Sequence, residues 1–425
     1  MTTTFDVIVV GAGPGGIAAA SVAAEAGMKV CLVDSQATLG GQIWRGFSHK
    51  TGSGRIHSSQ FSFWSKRLHA SNCTSLAGWH VVASPAAGVL RVESEAESRD
   101  LHFEKLILAT GARERFLPFP GWTLPGVMGV GGLQAFLKSG LDARGKRVVI
   151  AGTGPLLLAV AASARQAGAR IAEICEQAEF SRLASFGLRT LFSHPGKLWE
   201  GAGYRLATRS SAYSLGVWVT RAEGKDCVEQ VSLSDGRRNW TVPCDWLACG
   251  YHLVPNLELP QLLGCRIAEG SVVTDDLQMS SIDGVYCAGE LTGIGGLDKS
   301  IIEGQIAGWA ATGRPIEARR FRSRRRSQMH FAQSLQQTFA LRTELRNLPA
   351  PETLVCRCED VPHAELKHCT SGREAKLHTR CGMGVCQGRI CSAATEFLYG
   401  WQSSSQRPPL FPARIETLRA PVTLD

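Results

Sequence analysis

The chain has 425 residues, 44% of them hydrophobic and 20% charged, with a formal charge of +9, a globular balance with length enough for two or three cores. No apolar run approaches the ~20 residues needed to cross a bilayer. The longest, Val7 to Ala24, is a strand, a glycine turn and a helix start, without the basic head and cleavage site of a signal peptide, so a cytoplasmic address is expected. Much of the positive charge lies at Arg314, Arg319, Arg320, Arg322, Arg324, Arg325 and Arg326. No nucleic-acid-binding motif accompanies it, so it reads not as a nucleic-acid site but as a solvated connector or a contact for an acidic subunit.

Residues Phe5 to Val10 are an apolar, β-branched run, followed by GAGPGG and an alanine-rich helical stretch from Ile17 to Ala26. A second strand, Lys29 to Val33, ends at Asp34, which completes a βαβ opening. Gly11, Gly13 and Gly16 form G-x-G-x-x-G at the strand–helix junction, and Pro14 opens the helix. In that pattern the first glycine makes the tight turn. The second lets backbone approach a pyrophosphate, and the third lets helix close on strand. The helix N-terminus faces the phosphates, and Asp34 stands where an acid accepts hydrogen bonds from ribose hydroxyls.

Residues Leu101 to Thr110 predict a further strand, ending in the turn Thr110-Gly111 within LILATGARE. A Pro/Gly-rich crossover, FPGWTLPGVMGVGG, follows near residue 121, and RVVIAGTGPLLL then begins a second βαβ unit. Its glycines are Gly152 and Gly154, but Leu157 stands where a third glycine or alanine is expected. That leucine is expected to push the helix from the strand and crowd a pyrophosphate. Glu176 closes the next strand and could hold a ribose, favouring NAD over NADP if either binds; occupancy by NAD(P) is left open. From Asp245 the chain returns to the first domain, where GVYCAGELTGIGG carries Gly289 and Glu290. LILATGARE resembles the strand-to-turn motif of FAD reductases. GVYCAGELTGIGG resembles their later flavin motif, in which the acid, here Glu290, contacts the ribityl chain. Three motifs in this order predict FAD.

Eight of the fourteen cysteines are scattered between Cys31 and Cys287 and read as buried free thiols. The other six (Cys356, Cys358, Cys369, Cys381, Cys386 and Cys391) crowd one C-terminal segment, which in a reducing compartment points to metal. Cys356 and Cys358, one residue apart in an extended loop, are expected to present both sulfurs to one iron. The glycines at 382, 384 and 388 let the backbone fold tightly. Four thiolates make a [2Fe-2S] site. A four-cysteine zinc site is the metal alternative, though C-x-C with C-x4-C is not usual zinc-ribbon spacing. The chain has no C-x-x-C pair, which disfavours thiol–disulfide chemistry.

Together these residues resemble a known family. VCRCEDV with TRCGMGVCQGRIC is similar to the bacterioferritin-associated-ferredoxin-like [2Fe-2S] domain. Joined to GAGPGG, LGGQIWR and AGELTGIGG, it resembles the alpha-type subunits of heteromeric amino-acid and opine dehydrogenases over nearly the whole chain. The resemblance implies Cys356, Cys358, Cys386 and Cys391 as cluster ligands, with Cys381 in reserve and Cys369 a bystander. It implies Gln42 and Arg45 near the FAD, and leaves room for an FMN at a subunit interface. An FAD-dependent, glycine/D-amino-acid-oxidase-like beta subunit would oxidise the amine, a small ferredoxin-like gamma subunit could join, and this chain would relay electrons. The complex could lie peripherally on the inner membrane. His252 is expected to be structural, and Lys299 either to tune the flavin ring or to be an ordinary surface lysine. A stand-alone NAD(P)H-dependent FAD/iron–sulfur oxidoreductase and a redox-sensing or scaffold protein are the competing readings.

The expected fold class is α/β: two dinucleotide-binding, disulfide-reductase-like domains and a small helical C-terminal [2Fe-2S] domain. The expected boundaries are 1–120 with 245–312 for FAD, 121–244 for the NAD(P)-binding-like domain and 313–352 for a basic helical linker. Residues 353–405 form the cysteine module, and 406–425 form a proline-rich tail packed as an extended strap.

Overall fold

A computed structural model describes residues 3–46, 55–402 and 406–422; the last residues assigned to the cysteine module, 403–405, and the end of the tail, 423–425, lie outside them. The chain divides into two compact units. One comprises Met1–Arg113, Val254–Ala332 and Ser404–Asp425, and the other Glu114–Leu253 and Gln333–Ser403.

The first unit is built on β1 (Thr3–Val10), α1 (Pro14–Glu25), β2 (Val30–Asp34), α2 (Arg55–Ala70), β3 (Cys73–Ala77), β4 (His80–Ala86), β5 (Val89–Glu93) and β6 (Ser98–Leu108). Its sheet runs β3-β2-β1-β6-β5-β4, and the strand Val285–Cys287 also pairs with β6. β1 lies parallel to β2 and β6, while β4 and β5 are antiparallel neighbours. Val7, Ile8 and Val9 are fully buried because a central parallel strand is covered on both faces, hence its continuous apolar run. One apolar cluster packs α1 and the helix Gly296–Ala311 on one face, and another fills the opposite face beneath β4 and β5. The C-terminal ends of β1 and β6, with β2 on the far side of β1, form the crevice where α/β sheets take ligands. The tail is not wholly extended. Leu410 donates to Val82 O (2.8 Å), and a short helix, Ile415–Arg419, ends where Arg91 donates to the carbonyls of Thr417, Ala420 and Pro421.

The second unit carries α3 (Val130–Lys138), α4 (Leu156–Gln166), α5 (Phe180–Ser193) and α6 (Pro195–Ala207). Its five-stranded sheet is parallel, with the strand Arg147–Thr153 between Arg170–Glu176 and Trp246–Tyr251. A three-stranded antiparallel sheet, Trp218–Glu223, Gln230–Ser234 and Asn239–Pro243, packs into the same core. The return to the first unit therefore falls at Val254 and not at 245, because Trp246–Tyr251 completes the second sheet. Leu157 also differs from expectation. It is 1% exposed and inserted into the core between α4 and the sheet, its isobutyl group having apolar neighbours there, and does not stand in the glycine turn.

Candidate functional site

The glycine turn of the first unit is shaped by backbone contact. A Cβ on Gly16 would lie 1.7 Å from Gly11 O, so the helix meets the strand only with glycine there. Gly13, the N-cap of α1, is the reverse case: a Cβ there meets nothing within 4 Å. The space in front of the helix N-terminus is thus an open cradle of the kind that takes a pyrophosphate. Asp34 braces it, accepting from Ala12 N (2.5 Å) and Gln36 N (2.7 Å). Burial pushes the Asp34 carboxyl above its ordinary value, opposed by those N–H groups. Gly40 donates to Ala12 O (2.8 Å), which holds the LGGQIWR turn against the cradle. In that turn Gln42 is exposed, while Arg45 donates to Gln36 Oε1 (2.9 Å) beside the acid.

Thr110 and Gly111 leave β6 and are fixed by Asn256, which no motif in the sequence singles out. Thr110 Oγ1 donates to Asn256 O (3.0 Å), Asn256 Nδ2 to Thr110 O (2.8 Å), and Asn256 N to Gly111 O (3.0 Å). Glu290 turns back onto its own chain and accepts from Gly296 N (2.6 Å) and Gly295 N (3.3 Å) at the start of the helix Gly296–Ala311. Burial raises its pKa, while Lys299 and the two N–H groups oppose this.

Lys299 is neither a surface lysine nor aimed at open space. Its Nζ donates to Gly289 O, Thr292 Oγ1 and Glu303 Oε2, each at 2.8 Å, from a side chain only 2% exposed. Glu303, fully buried, also accepts from Gly289 N (3.0 Å) and, through Oε1, from Arg325 Nε (3.0 Å). One member of the arginine run is therefore internal, whereas Arg319, Arg320, Arg324 and Arg326 are exposed as expected. The i,i+4 spacing of Lys299 and Glu303 was the available signal for this network.

In the second unit Glu176 is fully buried and accepts from Gly154 N (2.7 Å), Ala178 N (2.8 Å) and Thr153 Oγ1 (2.8 Å). Burial outweighs these bonds and moves its pKa up to about 7. Phe339 to Arg342 lies against the same strand ends. Phe339 O accepts from Thr153 Oγ1 (3.3 Å), Ala340 O accepts from Gln177 Nε2 (3.3 Å), and Arg342 N donates to Gln177 Oε1 (3.1 Å). His252 Nε2 lies 2.5 Å from Phe339 O and is structural, held at φ 70°. The strand ends of the second unit are thus bonded to Phe339, Ala340 and Arg342 of the chain itself, while a Cβ at Gly154 meets nothing within 4 Å beyond its neighbours in sequence.

The cysteine module places its thiols in two groups. The sulfurs of Cys356, Cys381 and Cys391 all lie within 4.8 Å of one another and are buried. Cys358, exposed, is the hydrogen-bond partner of Cys386, which is half-buried. Cys356 thus groups with Cys381 and Cys391, and Cys358 hydrogen-bonds with Cys386. Cys356 ends the strand Leu354–Cys356 and the chain turns immediately, so strand alternation does not reach residue 358. Gly382 N donates to Cys356 Sγ (3.5 Å). Hydrogen bonds from the Cys381 and Cys391 thiols hold Cys356 far below the usual thiol range. Cys369 packs against the same core but is not one of the three grouped sulfurs, and its thiol donates to Glu365 O (3.8 Å). Two pairs, Cys356 with Cys391 and Cys358 with Cys386, suit the two irons of a four-thiolate cluster, and the donor set fits that group. Of the scattered cysteines most are buried, but Cys227 is exposed and Cys73 half-buried, because each lies at an edge and not in a core strand.

Residues 5–311 match the pyridine nucleotide-disulphide oxidoreductase family. The chain is 34% identical to the A subunit of opine oxidase from Rhizobium meliloti, over 91% of this chain and 90% of that protein. It is 29% identical to hydrogen cyanide synthase subunit HcnB of Pseudomonas protegens, over 90% of this chain and 89% of that one. The crystal structure of L-proline dehydrogenase from P. horikoshii superposes with a TM-score of 0.72 at 19% identity, covering 99% of this chain and 80% of that one.

Proposed function

The chain belongs to the pyridine nucleotide-disulphide oxidoreductase family, together with opine oxidase A subunits, and from that premise we propose that it is the electron-relaying subunit of a heteromeric amino-acid or opine dehydrogenase. It is a flavin-dependent oxidoreductase subunit. Its substrate-oxidising partner is an FAD-dependent beta subunit of the glycine/D-amino-acid-oxidase type, an interface FMN and a ferredoxin-like gamma subunit being compatible with the same assembly. No described helix is long and apolar enough to cross a membrane. The cytoplasm, with peripheral attachment to the inner membrane through the complex, is the location we assign.

One observation carries this reading: a single chain pairs an open, acid-braced pyrophosphate cradle at Gly13 with two groups of thiols in the C-terminal module. Bound FAD would supply two-electron chemistry and a [2Fe-2S] cluster one-electron chemistry. The chain's own residues do the holding. The α1 N-terminus and Gly13 receive phosphates, Asp34 the ribose, and the Thr110-Gly111 and Gly289-Glu290 turns flank the flavin. Cys356, Cys358, Cys386 and Cys391 hold the irons. The engagement of Thr153 and Gln177 by Phe339 and Ala340 at the second unit's strand ends favours electrons arriving from a partner over electrons arriving from NAD(P)H.

An exposed apolar face supports the partner. Phe180, Leu188, Phe192, Trp199 and Leu206 on α5 and α6 are each more than half exposed, and apolar patches of this kind mark protein contacts. The test is anaerobic mixing. The purified chain should carry FAD, iron and sulfide, stay oxidised with amino acid or opine alone, and become reduced only when the beta subunit is added. Oxidation of an amine by this chain alone, or rapid flavin bleaching by NADH, would defeat the proposal.

A further inference from the structure

A two-iron cluster takes four thiolates, and the module offers five grouped ones. They are unevenly divided. The inner group holds three sulfurs, Cys356, Cys381 and Cys391, at 1%, 5% and 3% exposure. Among the described residues no other cluster of three potential ligand atoms occurs at that spacing. The outer group is Cys358 hydrogen-bonded to Cys386. The loop Gly382-Met383-Gly384 abuts both through its two glycines. A Cβ at Gly382 would touch Cys391 Sγ (3.8 Å), and one at Gly384 would meet Cys358 Cβ (2.3 Å). Cys381 is therefore fixed at the inner group from one side by this loop and from the other by the end of the helix Gly372–Thr379, which closes at Arg380 with φ 64°.

We infer that the inner iron is served by one thiol more than it uses, and that Cys381 takes over as ligand when Cys391 is lost, while the outer iron has no substitute. The inference rests on the cluster reading proposed above. In the exchange the Cys381 thiol gives its proton to water and its sulfur makes the iron–sulfur bond that Cys391 made; no electron moves. The three sulfurs already lie within 4.8 Å of one another, so the exchange needs a side-chain rotation and no refolding of the loop.

Alanine variants of the full chain, isolated anaerobically, test this by iron and acid-labile sulfide per FAD, visible circular dichroism, and electron paramagnetic resonance of the reduced protein. Alanine is chosen because a serine oxygen could itself bind iron. Cys381→Ala should match the wild type in content and spectrum. Cys391→Ala should keep more than half its iron and sulfide with a shifted spectrum, and Cys381→Ala/Cys391→Ala should lose both. Cys386→Ala should lose both although Cys381 is intact, with FAD retained throughout as the sign of folding. Loss of iron in Cys391→Ala as complete as in Cys386→Ala, or an unshifted spectrum in Cys391→Ala, would overturn the inference. Zinc without sulfide in the wild type would overturn the cluster reading itself, and is distinguishable because it appears before any substitution.

Discussion

Lys299 and Glu303 form an ion pair one helical turn apart (2.8 Å) with both side chains out of contact with water, 2% and 0% exposed. The pair is tied to backbone on both sides. Lys299 donates to Gly289 O, and Glu303 accepts from Gly289 N. The peptide groups of the flavin-motif glycine are thus held by a cation and an anion that have no other solvent. A buried pair adds little net stability when intact, yet removal of one partner leaves an uncompensated charge. Its value here is positional.

Glu303→Gln should therefore destabilise the first unit by about 3–5 kcal/mol, because Lys299 and Arg325 keep their charges without a buried anion. Chemical denaturation should show the loss, and FAD should dissociate at lower denaturant than in the wild type. A variant as stable as the wild type would mean that water reaches this network.

Gly13→Val should fold and fail to hold FAD. Apart from its neighbours in sequence, no atom of the chain lies within 4 Å of the new Cβ, so the fold tolerates it, whereas the branched side chain fills the cradle. A drop in FAD affinity of at least about tenfold, roughly 1.4 kcal/mol, with unchanged far-ultraviolet circular dichroism, is the expected result.

NADH and NADPH should fail to reduce the flavin at a catalytic rate. Thr153, Gln177 and Glu176, the polar groups at the second unit's strand ends, already bond the chain's own groups. Stopped-flow absorbance near the flavin band checks this directly, and millimolar cofactor should give no burst.

Glu176 should make the second unit lose stability as pH rises. Its folded pKa, about 7, is raised from 4.5 by burial, so the native state binds the proton more tightly than the unfolded chain. The contribution is fully present below about 4.5 and is lost as pH climbs through about 7; it amounts to at most about 3 kcal/mol. Glu176→Gln should flatten the stability profile between those values, measured by denaturant midpoint against pH.

The glycine spacing, the acid at the end of β2 and the crowding of cysteines near the C-terminus were legible because each is local. A turn of fixed shape, a strand end and a short loop impose residue types at fixed separations. Sequence alone therefore determined the α/β class, the flavin-type motif order and the gathering of six cysteines in the last module. What it could not decide was which distant groups meet. Arg325 reads as one more solvated arginine until the fold brings it to Glu303, and Asn256 carries no motif until chain re-entry sets it beside Thr110. The fold brings Cys381 and Cys391 to Cys356, and Cys386 to Cys358, across up to 35 residues of chain, which the spacing alone did not assign. The bonding of residues 339–342 to the second unit's strand ends is likewise a contact across more than a hundred and fifty residues of chain (165 between Gln177 and Arg342). Such pairings depend on the path of the backbone and on which buried polar groups must find partners, and only the tertiary structure fixes both.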